Sequence, residues 1–187
     1  MREILDCNAI GIIAQDTELK TVLQKIGNKP DLIITDSQVV QKVVQEIPSD
    51  INLTTFSILF ARLKGDLKAM VVGANRIDSL NNGDKILISE ACSHHTQCDD
   101  IGRVKIPNLL KKYTGKELQF EFCSGHDFPD DLEKFSLIIH CGACMINQIE
   151  MKRRLKESAL LGVPITNYGV VISKIQNVLE RVIKPLF

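Results

Sequence analysis

Hydrophobic and polar positions follow one another in an order that predicts short buried strands, each leading into an amphipathic helix. In the first third of the chain, Gly11–Ala14 and Asp31–Asp36 are apolar runs of strand length, and helical spacing follows over Thr17–Ile26 and Ser37–Ile47. Strands that alternate with helices are typical of parallel sheets whose faces are covered by helices. The pattern therefore predicts an α/β fold.

The same alternation resumes after the turn signal Asn81–Asp84. Strands are predicted at Lys85–Ser89, Leu118–Phe122 and Ser136–His140, and helices at Pro107–Tyr113, Met145–Leu161 and Val170–Ile183. Between the two halves, Phe56–Leu63 and Leu67–Leu80 have helical spacing. We expect two small lobes with mainly parallel sheets flanked by helices, the first over residues 1–75 and the second over 76–187.

Composition and charge exclude several classes of function for this chain. The chain has 187 residues, of which 44% are hydrophobic and 25% charged, as in an ordinary globular protein. Lys+Arg and Asp+Glu both number 23, and this balance argues against capture of nucleic acid or an anionic membrane through a basic surplus. We expect no membrane-spanning segment, because no apolar run reaches eighteen residues, and no export signal, because Asp6 interrupts the first apolar stretch. A cytoplasmic protein is predicted.

Six cysteines are the feature that this composition leaves unexplained: Cys7, Cys92, Cys98, Cys123, Cys141 and Cys144. Disulfides are rare in the cytoplasm, where cysteines at short spacings more often bind metals or act in redox chemistry. Two clusters, Cys92-Ser-His94 and His140-Cys141-Gly-Ala-Cys144, each follow a predicted strand. Ligands of an open parallel sheet gather beyond the carboxyl ends of its strands, so we expect both clusters to meet at one edge.

These residues alone leave three kinds of site open. Cys92, Cys141 and Cys144 with one histidine suit tetrahedral zinc, as in a structural interaction module. The same three thiolates with an exchangeable fourth position suit a [4Fe–4S] cluster. The Cys-x-x-Cys pair also suits a thiol oxidoreductase. The other three cysteines are interpreted as structural residues, because isolated cysteines behave as small buried hydrophobes.

Four segments together resemble the HydF family of [FeFe]-hydrogenase maturation GTPases. They are Glu90–His95, Asp99–Pro107, His140–Met145 and Gly162–Gly169. The family pattern is Cys-x-His, a long spacer and then His-Cys-x-x-Cys, and here positions 95–139 separate the two motifs. Upstream, residues 31–37 and 53–62 resemble the family's dimerisation domain. The resemblance extends over essentially the whole chain.

The resemblance implies a site and a cofactor. It implies a [4Fe–4S] cluster held by Cys92, Cys141 and Cys144, with an exchangeable fourth position at one iron. His94 and His140 match the motif histidines and become further candidate metal ligands. The two-iron subcluster precursor of the hydrogenase is the implied cargo.

The resemblance also implies partners and an organisation. Residues 1–75 would form the dimerisation domain of a homodimer, and residues 76–187 the cluster-binding domain. The [FeFe]-hydrogenase apoprotein and the radical-SAM maturases are the implied partners. The family's GTPase domain has no counterpart in this sequence, which carries no Walker-type loop, so we expect a non-catalytic scaffold and carrier here and no enzyme.

Overall fold

Two separate parallel sheets organise the computed structural model, which describes residues 2–91, 100–125 and 127–187. The smaller sheet pairs β1 (Ile33–Thr35) with β2 (Leu53–Thr55). The larger sheet has the order β4–β3–β5–β6, with every pair parallel, and its strands are β3 (Lys85–Glu90), β4 (Gln119–Ser124), β5 (Leu137–His140) and β6 (Ile165–Asn167). The predicted α/β class with parallel sheets flanked by helices is confirmed.

Helices connect and cover these strands. The α-helices of the described residues are α1 (Arg2–Asp6), α2 (Leu19–Ile26), α3 (Val40–Glu46), α4 (Phe56–Lys64), α5 (Leu67–Ala74), α6 (Ile106–Thr114), α7 (Gln148–Leu160), α8 (Tyr168–Ile175) and α9 (Leu179–Ile183). A π-helical turn, Ile101–Lys105, leads directly into α6. Within the described parts of the chain, no helix has the length and apolar character that crossing a membrane requires.

Polar residues placed immediately before helices explain where several of them begin. Thr55 ends β2 and caps α4, since its Oγ1 accepts a hydrogen bond from the backbone N–H of Ile58 at 3.3 Å. Asn167 ends β6 and caps α8 in the same way, at 2.9 Å from the N–H of Val170. Asn147 caps α7. Thr55 and Asn167 therefore each end a strand and start a helix, which makes these two strand-to-helix turns short.

One hydrophobic core joins the two sheets. Ile86–Ile88 of β3 and Leu137–Ile139 of β5 are almost fully buried, as expected for central parallel strands covered on both faces. Leu53 of β2 and Ile58 of α4 belong to the same core cluster. Helix α5 packs across the edge strand β6. The described elements of the two sheets thus share one packed interior.

The structure differs from the predicted elements in several places. Gly11–Ala14 is exposed and pairs with no strand among the described residues. Helix α7 begins at Gln148 rather than Met145, because Asn147 provides its cap. The helix predicted over residues 170–183 is divided into α8 and α9, since Asn177 adopts a left-handed conformation with φ 57°. Strands β2 and β6 were not predicted, because each has only three residues, and such a short run shows no recognisable periodicity.

Candidate functional site

Two consecutive rows of residues form the carboxyl edge of the larger sheet. In the first row, Ser89 of β3 pairs with Cys123 of β4 and with His140 of β5, and His140 pairs with Asn167 of β6. Cys141 follows His140 and begins the next row. Because successive residues of an extended strand face opposite sides of a sheet, His140 and Cys141 belong to opposite faces of one edge.

Cys141 is fixed between the ends of β3 and β5. Its backbone N–H donates to the carbonyl of Ser89 at 2.8 Å and so continues the ladder by one residue. Its Sγ accepts hydrogen bonds from the backbone N–H groups of Ala91 at 3.0 Å and Ala143 at 3.5 Å. Two N–H donors directed at one sulfur thus fix its position between the two strand ends.

The loop between β5 and α7 presents Cys144 to solvent. Cys144 is exposed, and Ala143 before it has a left-handed backbone, with φ 57°. Gly142 lies against the start of α4, where a Cβ built on it would stand 3.5 Å from Oγ of Ser57. The two thiols of the Cys-x-x-Cys motif therefore lie on a short turn that packs on an element of the first third of the chain.

Lys64, the last residue of α4, binds this loop from the side. Its Nζ donates hydrogen bonds to the carbonyls of Ala143 at 2.9 Å, Cys144 at 2.9 Å and Ile146 at 2.8 Å. In the opposite direction, Nε2 of Gln148 donates to the carbonyl of Leu63 at 2.9 Å. Four hydrogen bonds thus connect the end of α4 to the Cys-x-x-Cys loop and the first turn of α7.

His140 is completely buried, and hydrogen bonds engage both of its ring nitrogens. Nη1 of Arg154 lies 3.0 Å from Nε2, and since an arginine can only donate, Nε2 accepts and Nδ1 carries the proton. Nδ1 then donates to the carbonyl of Cys141 at 2.9 Å. Burial, with a smaller contribution from the Arg154 charge, lowers the pKa of His140 to about 4, so the ring is neutral at pH 7.

Arg154 joins three strand ends beneath the site. Its guanidinium is fully buried and donates to Oγ of Ser89 at 3.2 Å and to the carbonyl of Gly125 at 2.6 Å, in addition to His140. Its Nε donates to Oε1 of Glu150 at 2.8 Å, which provides the opposite charge. The guanidinium also lies 4.9 Å from the centre of the Phe128 ring. Buried charges persist only when paired and hydrogen-bonded in this way.

The sequence-predicted site residues divide into two groups. Cys141, Cys144 and His140 lie together at the carboxyl edge of β5, as predicted, whereas Cys92 and His94 lie outside the described residues. Within residues 2–91, 100–125 and 127–187, no group of three or more His, Cys, Asp or Glu side chains could hold a metal. The two described thiols form an incomplete donor set, which a third thiol would complete for a cluster and a third thiol with one histidine for zinc. The assignment of Cys92, Cys141, Cys144, His94 and His140 as metal ligands stays a prediction.

Sequence reasoning missed Arg154 and Lys64. From sequence, the charged run over residues 152–156 indicates a solvated helix face, but Arg154 is fully buried within it. One signal was available, since Arg154 stands four residues after Glu150 and four before the buried Ser158, on the inner face of α7. Lys64 gave no such signal, because its contacts are 79 to 82 positions distant.

The fold and the site define an α/β protein with a Cys-x-x-Cys loop at the carboxyl edge of a parallel sheet. Residues 1–65 match the family model of the hydrogen maturase F dimerization domain, and residues 68–185 match that of the hydrogen maturase F tetramerization domain. The chain therefore belongs to the hydrogen maturase F (HydF) family, as the sequence resemblance implied. A comparison with curated proteins gives no significant match.

These matches bear on function at a coarse level. They connect the chain with hydrogenase maturation and with homo-oligomeric assembly, and they correspond to scaffold domains rather than catalytic ones. The matched ranges meet at residues 66 and 67, immediately before α5. The division of the chain at residue 75 stays a prediction.

Proposed function

We propose that this chain is a non-catalytic scaffold of [FeFe]-hydrogenase maturation that holds a [4Fe–4S] cluster through Cys92, Cys141 and Cys144. In this proposal it carries the two-iron subcluster precursor and delivers it to the hydrogenase apoprotein, working as a homodimer with the radical-SAM maturases. Any GTP hydrolysis of the full family protein would belong to a different domain.

The hydrogen bond from the Ala91 N–H to Sγ of Cys141 is the observation that carries this proposal. Ala91 is the last described residue of the β3 segment, and Cys92 is the next residue in the sequence. Since consecutive Cα atoms are about 3.8 Å apart, the chain delivers Cys92 within one residue of a group that already touches the Cys141 sulfur. Three thiols from two neighbouring strand ends are the donor set that the cluster requires.

The donor set also explains why a scaffold would use a cluster here. Three thiolates leave one iron of a [4Fe–4S] cluster without a cysteine ligand, and such a cluster supplies an exchangeable position for another metal unit. Cys144 is exposed, so this side of the site is open to an incoming group. Cys141 is half-buried and receives two N–H hydrogen bonds, which anchors the opposite side.

His140 has a different role in this proposal from the one its motif position first suggested. Its Nε2 is already bonded to the buried guanidinium of Arg154, and its Nδ1 to the carbonyl of Cys141. Metal binding at Nε2 would require Arg154 to leave His140 and rotate within the core. We therefore assign His140 to orienting the backbone of Cys141, and we retain His94 as the candidate for a fourth ligand.

Anaerobic reconstitution with iron and sulfide tests the proposal. We expect about four iron atoms per chain and an EPR signal of a reduced [4Fe–4S] cluster in the wild type. Substituting Cys92, Cys141 or Cys144 by alanine should each abolish stable cluster binding, whereas the matched variants Cys7→Ala and Cys123→Ala should retain it. A Cys144→Ala variant that binds the cluster normally would contradict the assignment.

The same experiment separates the two alternatives. Stoichiometric zinc in aerobically purified protein, without a chromophore after reconstitution, would indicate a structural zinc module. Disulfide reductase activity that depends on Cys141 and not on Cys92 would indicate a thiol oxidoreductase.

A further inference from the structure

Lys64 makes an unusual set of contacts for a lysine at a helix end. A lysine in the last turn commonly stabilises the carbonyls of its own helix. Here the ammonium donates three hydrogen bonds to another element, to the carbonyls of Ala143, Cys144 and Ile146. An ammonium has three N–H donors, so this loop accounts for its whole donor capacity.

The position of the ammonium is itself constrained. Its Nζ lies 5.0 Å from the centre of the Phe60 ring, one helical turn earlier in α4. Cations are attracted to the faces of aromatic rings at this distance, and Lys64 is half-buried. The ammonium is therefore held between the Phe60 ring of its own helix and the loop, instead of extending into solvent.

The loop needs an external partner of this kind. Three carbonyls converge on one point within four consecutive residues, and oxygens brought together in this way repel one another unless a cation lies between them. Ala143 also holds a left-handed backbone conformation, which is unfavourable for a residue with a Cβ. The ammonium compensates both costs, so the shape of the loop depends on it.

We propose that Lys64 is a positioning residue for the Cys-x-x-Cys motif: its ammonium fixes the backbone of residues 143–146 and thereby the thiol of Cys144. The positioning of the thiol for metal binding rests on the proposed function, in which Cys144 is a metal ligand. Lys64 lies in the range that matches the dimerization domain, and the loop lies in the range that matches the tetramerization domain. The metal-binding loop of one domain thus takes its shape from the terminal residue of a helix in the other.

The physical consequence is preorganisation. A loop already held in the binding conformation loses little freedom when a metal or cluster binds, whereas a mobile loop must first be ordered. The same restraint slows release, because a mobile thiol leaves its metal more often. Removing the ammonium should therefore weaken metal retention while leaving the core of the protein, which Lys64 does not enter, folded.

Lys64→Met tests the proposal, because methionine keeps the length and apolar character of the side chain and removes the charge. The matched control is Lys68→Met, four residues further along the chain in α5, where the ammonium contacts only the Phe187 ring in the described contacts. In the metal-free proteins, ¹⁵N relaxation should give rigid order parameters of about 0.85 for residues 142–146 of the wild type and Lys68→Met, and values below about 0.6 in Lys64→Met.

The second measurement uses the reconstituted proteins. We expect iron to be lost to a chelator about tenfold faster from Lys64→Met than from the wild type or Lys68→Met, with Lys64→Arg intermediate because it keeps the charge in a different shape. A rigid loop in metal-free Lys64→Met, or unchanged iron loss, would overturn the proposal. If the wild type bound no iron, the proposed function would fail, but the order parameters would still decide whether Lys64 fixes the loop.

Thermal unfolding distinguishes a local effect on the loop from a loss of global stability. Lys64→Met and Lys68→Met should have midpoints within a few degrees of each other. If Lys64→Met unfolded much earlier, the order parameters and iron loss would be compared at temperatures equally far below each midpoint. Loop mobility that disappeared under this correction would also overturn the proposal.

Discussion

Arg154 donates a hydrogen bond to Nε2 of His140 over 3.0 Å, and this contact determines which ring nitrogen of the histidine carries the proton. The second nitrogen, Nδ1, is then a donor and binds the carbonyl of Cys141. A buried charge on α7 thus fixes the backbone beside the sulfur of Cys141 through one neutral imidazole. The relationship has consequences for stability that can be measured without any metal.

Replacing Arg154 by methionine should destabilise the protein by about 3–5 kcal/mol. The substitution leaves Nε2 of His140, Oγ of Ser89 and the carbonyl of Gly125 without their donor inside the core. Breaking a buried charge network by removing one partner typically has a cost of this size. Urea unfolding of the metal-free protein measures it.

Arg153→Met is the matched control for this prediction. Arg153 also binds Glu150, but its side chain is exposed to solvent. Because exposed ion pairs contribute little, we expect a loss of at most about 1 kcal/mol. Equal losses in the two variants would show that burial of Arg154 is not what makes it important.

Stability should also decrease in acid through Glu150. Hydrogen bonds from Arg153, opposed by desolvation and supported by Arg154, lower the pKa of this carboxyl from 4.5 to about 2. A carboxyl whose pKa is lower in the folded state stabilises the fold above its unfolded pKa, and this contribution is lost as the pH falls from about 4.5 to about 2. Glu150 and Arg153 are partly exposed, and solvent weakens their interaction. We therefore expect the ionised carboxyl of Glu150 to contribute about 1–2 kcal/mol to the free energy of unfolding.

Glu150→Gln isolates this contribution. At pH 5.5 the wild type should exceed the variant in unfolding free energy, and at pH 2.5 the difference should have largely disappeared. Glu157→Gln removes the other carboxylate bound to Arg153. Its difference from the wild type in unfolding free energy should change less between the two pH values. A difference between wild type and Glu150→Gln that did not vary with pH would contradict the assignment.

Gly73→Ala should destabilise the contact between α5 and β6. A Cβ at this position would stand 2.1 Å from the carbonyl oxygen of Ile165 and 2.8 Å from its carbon, and both atoms are backbone. Alanine favours a helix by about 1 kcal/mol over glycine, but overpacking against backbone costs about 1–3 kcal/mol or more. We therefore expect a net loss, measured by thermal or urea unfolding.

Val72→Ala provides the comparison for Gly73→Ala. Val72 is the preceding residue of α5 and is 69% exposed, so its truncation should change stability by no more than about 0.5 kcal/mol. If Gly73→Ala were as stable as the wild type, α5 would not pack on β6 as closely as the structure places it.

The fold class was predictable because its signals are local. Ile86–Ile88 and Leu137–Ile139 are uninterrupted apolar runs of strand length, and such runs report burial on both faces without knowledge of the partner strands. Gly11–Ala14 has the same composition but no partner strand in the described part of the chain. Apolar character alone does not form a strand, because the backbone hydrogen bonds must come from a neighbour.

The site was predictable only in part. The placement of Cys141 and Cys144 at a sheet edge follows from the rule that ligands gather at the carboxyl ends of parallel strands. The contacts of Lys64 could not be derived from sequence, since they join positions about 80 residues apart through backbone carbonyls that every residue possesses. Arg154 was misinterpreted because charged side chains are almost always exposed, and only a complete set of partners makes the exception possible.

Self-association of the chain should depend on the apolar segment around Ile10 and Ile13. These side chains are 92% and 91% exposed, and with α2 and Phe56 they border an apolar groove of about 330 Å³ in the range that matches the dimerization domain. Apolar surface of this kind favours association because pairing removes it from water. We expect Ile13→Asp to weaken the oligomer about 100-fold and to give monomers at micromolar concentration by light scattering. Thr21→Asp, which adds the same charge on α2, should leave the mass unchanged, and an Ile13→Asp variant with the wild-type mass would exclude this surface from the interface.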